Sequence, residues 1–417
     1  MDNNTLLLIL LEICLIIGLA RLMGLIFNKF KQPPVIGEII AGIMLGPSLL
    51  GWISPDAMNA IFPDSTRPFL SLLSQIGLIF YMFLVGLELN PKYLKNKLKL
   101  AVITSNVSIL LPFLLGGILS FFVLYQLNDL SQVSLLSFTL FIGAAMSITA
   151  FPVLARIITD SHLAKTPLGT LALTCASVDD ISAWCLLAIA IAVTRTNHII
   201  SAVPTLMGIA LYSIFMVTIG HKLLRQLLRN YNQAEQLEQW LLTALYILVI
   251  LSAVFTEWIG IDVIFGGFIV GAIIPKNTNL SEVLTTRTQD FVETFLLPIF
   301  FAYSGLSTQL GLLNKPYLWG ICLLVIIAAI SGKYGGVYLV TRHFGVNKRE
   351  SKALGWLMNT RGLTELIILN VGLKLKVISP VIFTVFVIMA LVTTIITSPL
   401  LEWVYPKRLI AVEPESD

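Results

Sequence analysis

Apolar runs of membrane-spanning length recur along almost the whole chain, and they restrict its fold more than any other feature. A hydrocarbon core about 30 Å thick requires roughly 20 residues of helix. Thirteen runs approach or exceed that length: 5–27, 34–50, 69–88, 99–125, 134–158, 167–194, 199–222, 238–257, 260–275, 291–309, 317–341, 351–373 and 378–403. Only 12% of the 417 residues are charged, whereas about a quarter are charged in a typical soluble protein. We therefore expect an all-α polytopic membrane protein with about thirteen transmembrane helices, and not a soluble enzyme, a disordered chain or a nucleic-acid binder.

The basic residues indicate how the chain is oriented in the membrane. If the alternate loops that begin at 28–33 are cytoplasmic, nineteen of the 27 lysines and arginines lie on that side, five on the other and three inside apolar runs. Cytoplasmic loops are enriched in lysine and arginine. The bias predicts an outside N-terminus and a cytoplasmic C-terminus, and it favours an odd number of spans. We expect the protein to lie in the lipid bilayer of a bacterial inner (plasma) membrane.

The apolar runs are predicted to form one domain. The longest loops between them, 51–68 and 223–237, are too short to fold separately. Residues 1–405 are therefore expected to form a single transmembrane domain, and residues 406–417 a short cytoplasmic tail.

Two adjacent carboxylates lie at the centre of the sixth run, in TCASVDDISAWCLLAIA. A charge at mid-membrane costs about 3 kcal/mol on insertion scales, so a functional role is the default interpretation. Neighbouring helical residues point about 100° apart, so one of Asp179 and Asp180 can line a cavity while the other meets a partner. Carboxylate oxygens suit a small hard cation or protons. The alternative is a carboxylate pair that is salt-bridged elsewhere in the bundle.

Three further ionisable residues lie well inside apolar runs, near mid-membrane. Lys333 has no acid on its own predicted helix, so Asp179 or Asp180 is its expected partner, and it is a candidate charge-pairing or proton-releasing group. The alternative is a lysine that extends to the cytoplasmic interface. Arg361 and Glu365 are four residues apart and can form an ion pair on one helix face, for which a purely structural role is an equal competitor.

Two runs contain helix-breaking segments at similar depth. Pro152 removes a backbone donor and disfavours helix at the residue before it, so the stretch from Ser147 to Pro152 is predicted to unwind. The Asn-Thr-Arg-Gly segment at 359–362 interrupts the twelfth run. Interrupted helices at corresponding places in two inverted halves indicate the ion site of a secondary transporter.

The spacing of these two runs predicts an internal inversion. They are seven helices apart, and an odd offset makes the two helices cross the membrane in opposite directions. Helices 1–6 and 8–13 are therefore predicted to form inverted repeats, with helix 7 at 199–222 as the linker. Arg361 and the dipole ends of the half-helices would neutralise charge at the point where the two interrupted runs cross. Thr149 is expected to help coordinate the cation beside Asp180.

Seven motifs in order resemble a known family. They are PPVIGEIIAGIMLGPSLLG at 33–51, FLVGLELNP at 83–91, SITAFPVLARI at 147–157, SVDDISAW at 177–184, LPIFFAYSGLSTQ at 297–309, GKYGG at 332–336 and NTRGLTELIILNVG at 359–372. From about residue 5 to 405 the chain resembles the second family of monovalent cation:proton antiporters, which includes Kef-, Nap- and plant CHX-type exchangers. The resemblance implies a homodimer of thirteen-helix protomers. Each protomer would have a core domain with two crossed discontinuous helices and a separate dimerisation domain, and would work by elevator-like alternation.

The resemblance also implies roles for individual residues. Asp180 matches the essential ion- and proton-binding carboxylate, and Asp179 matches the preceding position, which is Asp, Asn or Gln in other members. Lys333 matches the lysine that pairs with that position in double-aspartate exchangers, which are typically electrogenic. Aspartate at 179 argues against glutathione-gated, Kef-type potassium efflux, whereas the NTRGLTELIILN segment is closest to the CHX-like branch, in which potassium transport is common.

The predicted function is exchange of a monovalent cation for protons, with Na⁺ favoured over Li⁺ and K⁺ and with cation and protons competing for Asp180. A K⁺-selective CHX- or Kef-like exchanger is the alternative. A passive cation channel is more remote because a filter sequence such as TVGYG is absent, and an organic-anion symporter would need a mid-membrane basic pair. No nucleophile–base set, P-loop or HExxH motif predicts an enzyme, and we expect no cofactor.

Overall fold

The computed structural model describes residues 3–30, 32–88, 98–128, 133–163, 166–196, 199–228, 239–260, 262–275 and 279–406. This part of the chain is all helical and contains no strand. The α-helices, numbered in chain order, are α1 Asn3–Lys29, α2 Pro34–Leu45, α3 Leu50–Ile53, α4 Pro55–Ile61, α5 Arg67–Glu88, α6 Leu98–Leu119, α7 Leu135–Ser147, α8 Phe151–Asp160, α9 Pro167–Thr196, α10 Ile199–Phe215, α11 His221–Leu228, α12 Gln239–Trp258, α13 Val263–Ile273, α14 Asn279–Phe291, α15 Leu297–Leu306, α16 Pro316–His343, α17 Lys348–Met358, α18 Leu363–Lys374 and α19 Pro380–Val404. Three π-helical turns (Ser120–Leu124, Met216–Gly220 and Val292–Leu296) and two short 3₁₀ turns (Tyr125–Leu127 and Leu310–Leu312) complete the elements.

Ten helical stretches in the described ranges are long and apolar enough to cross a membrane. They are Thr5–Lys29, Pro34–Ile53, Arg67–Leu87, Lys99–Leu127, Pro167–Thr196, Val203–Gln226, Gln239–Trp258, Val283–Leu312, Pro316–His343 and Pro380–Val404. The other three predicted runs hold shorter helices. Non-helical breaks divide the fifth run into α7 and α8 and the twelfth into α17 and α18, and α13 in the ninth has 11 residues. The chain is an all-helical integral membrane protein, and the exact number of thirteen spans stays a prediction.

The helices pack into two groups. We call α1, α2, α5 and α12–α15 the scaffold bundle, in which α5 packs on α13 and α2 packs on α1 and α15. We call α6–α9 and α16–α19 the crossing bundle, in which α6 packs on α7, α9 and α16, and α19 packs on α16–α18. Each bundle takes helices from both halves of the chain, and α10 lies between those halves and packs on α9.

A glycine permits the closest helix contact in the scaffold bundle. A β-carbon on Gly271 of α13 would overlap the carbonyl oxygen of Phe83 in α5. Small residues let helix backbones approach in membranes, where packing contacts replace the hydrophobic effect as a driving force. The α5–α13 contact therefore depends on the missing side chain.

Both predicted helix breaks are present, although one is shorter than predicted. Helix α7 ends at Ser147 and α8 begins at Phe151, so only residues 148–150 are non-helical. The prediction that unwinding extends to Pro152 was wrong because proline fits the first turn of a helix, where no backbone donor is needed. In the twelfth run residues 359–362 are non-helical, as predicted, and Gly362 has a φ of +149° that L-residues rarely adopt.

The two breaks contact each other directly. The backbone N–H of Ala150 donates to the Thr360 carbonyl oxygen at 3.0 Å, and the Thr149 hydroxyl donates to the Met358 carbonyl oxygen at 2.9 Å. Non-helical backbone in a membrane is tolerated where it is buried in protein or lines a wet cavity. These contacts satisfy part of the exposed backbone at the point where the two interrupted runs cross.

Candidate ion-binding site

Asp179 is fully buried and accepts hydrogen bonds from four side chains. The Ser105 hydroxyl donates to Oδ1 at 2.5 Å, and the Ser108 hydroxyl lies 3.1 Å from both oxygens. The Thr149 hydroxyl donates to Oδ2 at 2.7 Å, and Lys333 Nζ donates to the same oxygen at 2.6 Å. A buried charge is tolerated when it is paired and hydrogen-bonded. This carboxylate therefore has a complete set of donors within the protein.

The partner of Lys333 is Asp179, one of the two acids expected from the sequence. Both side chains are fully buried, so Lys333 does not extend to an interface. Its ammonium group also donates to the Ser108 hydroxyl at 3.3 Å. Helix α6 thus supplies two hydroxyls to an ion pair formed between α9 and α16.

Asp180 lies on a different face of α9 from its neighbour. Its side chain is 1% exposed. Trp184, one helical turn further on and therefore on the same face, packs edge-on against Phe265 of α13 with ring centroids 5.7 Å apart. The Asp180 face is thus turned towards the scaffold bundle, whereas Asp179 is turned towards α6 and α16.

The structure places Thr149 and Ser147 differently from the sequence-based expectation. Thr149 was expected beside Asp180, but its single hydroxyl proton is shared between Asp179 Oδ2 at 2.7 Å and the Met358 carbonyl oxygen at 2.9 Å. The reason is that residues 148–150 are extended, which directs this side chain towards the Asp179 face of α9. Ser147 donates to the Gly143 carbonyl oxygen at 2.6 Å and so contributes to the end of α7.

Arg361 binds the end of the broken helix α7. Its Nη1 donates to the Ala145 carbonyl oxygen at 3.0 Å, and Nη2 donates to the Met146 carbonyl oxygen. A cation near a helix C-terminus is favoured by the helix dipole and satisfies carbonyls that have no intrahelical partner. The fully buried guanidinium thus neutralises one of the half-helix ends at the crossing.

The predicted Arg361–Glu365 pair is present at 3.5 Å, and both side chains are fully buried. The prediction that the two residues share one helix face was wrong. Arg361 lies in the break, and α18 begins only at Leu363. The pair therefore spans the start of α18.

Two cavities are lined by both the scaffold and crossing bundles, and they lie towards opposite ends of α5. The larger has a volume of about 510 Å³, and its lining includes Arg21, Glu38 and Tyr81 from the scaffold and Val153 and Arg156 from α8. The smaller has a volume of about 270 Å³, and its lining includes Gln75, Asp262 and Tyr303 from the scaffold and Asn370 and Lys374 from α18. Neither of these linings includes Asp180.

Several polar residues around the crossing were not identified from the sequence. Ser105 and Ser108 are three residues apart in an apolar run, and that spacing could have indicated a shared helix face. The Thr394 hydroxyl accepts from the Arg361 backbone N–H at 3.1 Å and donates to its carbonyl oxygen at 2.8 Å. A threonine in a membrane helix gives no sequence signal for such a role, because its hydroxyl commonly bonds to its own helix, as the Thr394 hydroxyl also does to the Ala390 carbonyl oxygen.

The fold is that of the sodium/proton antiporters. The structure superposes on the sodium proton antiporter MjNhaP1 of Methanocaldococcus jannaschii, solved at pH 8, with a TM-score of 0.67, and the alignment covers 98% of this chain and 99% of that one at 18% identity. A family model described as sodium/hydrogen exchanger, transmembrane, matches residues 16–405. The chain belongs to this sodium/hydrogen exchanger family, which confirms the resemblance found in the motifs.

Individual relatives extend the comparison. The chain is 73% identical over 406 residues to the Na(+)/H(+) antiporter NhaS4 of Synechocystis sp., covering 97% of this chain and 99% of the relative. It is 39% identical to Cation/H(+) antiporter 17 of Arabidopsis thaliana and 35% identical to K(+)/H(+) antiporter 1 of Saccharomyces cerevisiae. Those matches cover 95% and 97% of this chain but 48% and 47% of the relatives, so the chain spans about half of their length.

Proposed function

We propose that this protein exchanges a monovalent cation for protons across a membrane, and that the cation and protons compete for Asp180. The observation that carries the proposal is the difference between the two adjacent carboxylates. Asp179 is saturated by four protein donors, whereas Asp180 faces the interface between the bundles. An oxygen ligand at that interface can bind a hard cation when ionised and a proton when the cation leaves.

The identity of the cation is part of the proposal. Na⁺ is favoured because the Synechocystis relative, which matches nearly all of the chain, is named as a Na(+)/H(+) antiporter. K⁺ is the alternative, supported by the K(+)/H(+) antiporter of yeast at 35% identity, and Li⁺ fits the same oxygen ligands.

Alternating access would follow from movement of the crossing bundle against the scaffold bundle. The cavities that both bundles line towards opposite ends of α5 support this mechanism, because Asp180 would need only to reach one cavity and then the other. Asp179, Lys333 and Arg361 would move with Asp180, since their contacts lie within the crossing bundle. The charges of the site would therefore stay compensated during the movement.

Lys333 is proposed as the charge-pairing or proton-releasing residue, and transport is proposed to be electrogenic. If Lys333 releases a proton when a cation binds, more than one proton leaves for each cation. Such exchange moves net charge and responds to membrane potential at about 2.3 kcal/mol per charge per 100 mV. An imposed potential should then change the initial rate of Na⁺-driven proton movement.

We also propose how the protein is organised in the cell. Residues 1–405 would form one transmembrane domain of inverted repeats, with helix 7 as linker, in a homodimer. It would lie in a bacterial inner membrane with the N-terminus outside and the C-terminus cytoplasmic. Residues 407–417 of the tail lie outside the described residues. Exposed apolar side chains such as Leu211 and Leu251 support contact with lipid, being 63% and 60% exposed. The protein would act as a transporter and not as an enzyme.

Purified protein in proteoliposomes tests the proposal. With an acidic interior and a pH-sensitive dye, external Na⁺, Li⁺ or K⁺ should collapse the pH gradient through the wild-type protein. Asp180→Asn should abolish this response, because the amide neither binds a proton in this range nor supplies a full negative charge. A conductance that leaves the pH gradient intact would support a channel and contradict the proposal.

A further inference from the structure

Asn359 has a fully buried side-chain amide whose two polar atoms find no hydrogen-bond partner in the part of the chain that the structure describes. Its side chain has no exposed surface, and neither Oδ1 nor Nδ2 has a hydrogen-bond partner among the described residues. A buried polar group without a partner costs about 1–3 kcal/mol. Because both polar atoms lack partners, exchanging the two ends of the amide would not remove this cost.

The position of Asn359 places it at the crossing of the broken helices. The carbonyl oxygen of its preceding neighbour, Met358, lies 2.9 Å from the Thr149 hydroxyl and shares that proton with Asp179 Oδ2 at 2.7 Å. Its following neighbour, Thr360, accepts the Ala150 backbone N–H. Asn359 therefore lies between two residues whose carbonyl oxygens contact residues 149–150. Thr149 in turn contacts Asp179, the carboxylate next to Asp180 in α9.

Two other asparagines, the buried Asn128 and the half-buried Asn370, do have hydrogen-bond partners for their side chains. Asn128 donates to the Val377 carbonyl oxygen at 2.9 Å and accepts the Ser379 backbone N–H at 2.8 Å. Asn370 donates to the Ser304 hydroxyl at 2.6 Å and to the Leu366 carbonyl oxygen. Asn359 differs from both because neither of its polar atoms is bonded to any described residue, which leaves its amide available to a ligand.

We propose that Oδ1 of Asn359 is a ligand of the transported cation. The proposal rests on the proposed exchange function and adds a neutral ligand from the second broken run to the Asp180 carboxylate. Amide oxygens are ligands that hard cations accept. A neutral ligand also adds no charge of its own, so Asp180 remains the group at which a proton replaces the cation.

The test uses Asn359→Leu, which has nearly the same volume and removes both unpartnered polar atoms. Replacing an unpartnered buried polar group by an apolar one is neutral or stabilising, so the Tm without cation should be unchanged or higher. Binding of Na⁺ should raise the Tm of the wild-type protein as concentration increases. In Asn359→Leu that increment should be lost, and the KM for Na⁺ in proteoliposomes should rise at least tenfold.

Matched variants separate this ligand role from a general effect on folding. Asn128→Ala removes a buried, fully bonded amide, so it should lower the Tm without cation and retain the Na⁺-dependent increment. Asn359→Ala replaces Asn359→Leu as the test variant if Asn359→Leu does not fold, and we expect it to lose the same Na⁺-dependent increase in Tm. Measurements compare NaCl, LiCl and KCl with choline chloride at constant ionic strength.

The outcomes distinguish the inference from the function on which it rests. If wild type transports, Asp180→Asn does not, and the position 359 variants keep the wild-type KM and Tm increment, the ligand role of Asn359 is wrong and the exchange function stands. If Asp180→Asn transports normally, the proposed exchange site itself fails. A raised KM in Asn359→Leu with an unchanged cation-free Tm supports the inference.

Discussion

Lys333 Nζ lies 2.6 Å from Asp179 Oδ2, and neither side chain has any exposed surface. The pair joins α16 to α9, both of which pack on α6. Removing one partner of a buried pair leaves an uncompensated charge, which costs about 3–5 kcal/mol, whereas replacing both partners together costs far less. The geometry therefore couples the two residues in folding as well as in transport.

Lys333→Met should lower stability by about 3–5 kcal/mol, because Asp179 stays buried without its cation. The double variant Lys333→Met/Asp179→Asn should recover most of that loss, since the hydroxyls of Ser105, Ser108 and Thr149 can still bond to an amide. Thermal unfolding of the detergent-solubilised protein measures both. A double variant that is less stable than Lys333→Met would show that the two residues are not coupled in this way.

The hydroxyls of α6 should stabilise the Asp179 carboxylate. Ser105→Ala and Ser108→Ala each remove a hydrogen bond to a charged group, a contact worth about 1.5–3 kcal/mol. Each should lower the Tm. Ser120→Ala is the control because that hydroxyl bonds only locally, to the Gly116 carbonyl oxygen at 2.7 Å. Equal Tm values for Ser105→Ala and Ser120→Ala would contradict the assigned role.

Arg361 should contribute more to stability and to the transport rate than Glu365, the acid with which it pairs. Arg361→Gln removes the donors to the Ala145 and Met146 carbonyls, and we expect a loss of about 2 kcal/mol or more with at least a tenfold lower initial rate. Arg361→Lys should restore little, because one ammonium does not reproduce the guanidinium fork.

Glu365→Gln provides the comparison for Arg361. It weakens only the 3.5 Å contact and leaves the contacts to α7 in place, so its effect on initial rate and Tm should be smaller. A larger effect from Glu365→Gln than from Arg361→Gln would mean that the acid, and not the end of α7, is the important partner.

Gly271→Ala should disrupt the contact between α5 and α13. The added β-carbon would overlap the Phe83 carbonyl oxygen, so the two helices would have to separate. Gly335→Ala is the matched control, because a β-carbon there has no neighbouring atom within 4 Å. Helix propensity favours alanine by up to about 1 kcal/mol, so the control should be neutral or slightly stabilising. Thermal unfolding of both variants checks this, and similar Tm values would contradict the close approach.

Much of this architecture could be predicted because membrane helices must be long, apolar and internally hydrogen-bonded. That requirement identified the spanning runs, and the scarcity of buried charge identified Asp179, Asp180 and Lys333. The segment 359–362 was predicted correctly because its Asn-Thr-Arg-Gly sequence is polar throughout. The break before Pro152 was predicted too long because proline both ends one helix and begins the next.

Other features depend on three-dimensional packing and could not be predicted. The direction of the Thr149 hydroxyl depends on the extended conformation of 148–150. Successive side chains of an extended segment point to opposite sides, so a break that began one residue earlier or later would turn this hydroxyl away from Asp179. Ser105, Ser108 and Thr394 lie among other serines, threonines and asparagine in α6 and α19, and the sequence does not show which of these side chains reach the site. The unpartnered state of Asn359 is a property of its surroundings, so its sequence context alone could not show it.

The central claim is that a cation and protons compete for Asp180, and the pH dependence of the KM for the cation tests it most directly. Initial rates of Na⁺-driven proton movement would be measured in proteoliposomes of the wild-type protein over a series of pH values, with the rate at saturating Na⁺ determined at each. Competition predicts that the KM rises as the pH falls, by up to tenfold per unit for one competing proton, while the saturated rate changes little. A KM that stays constant with pH while the saturated rate falls would contradict competition at a shared carboxylate.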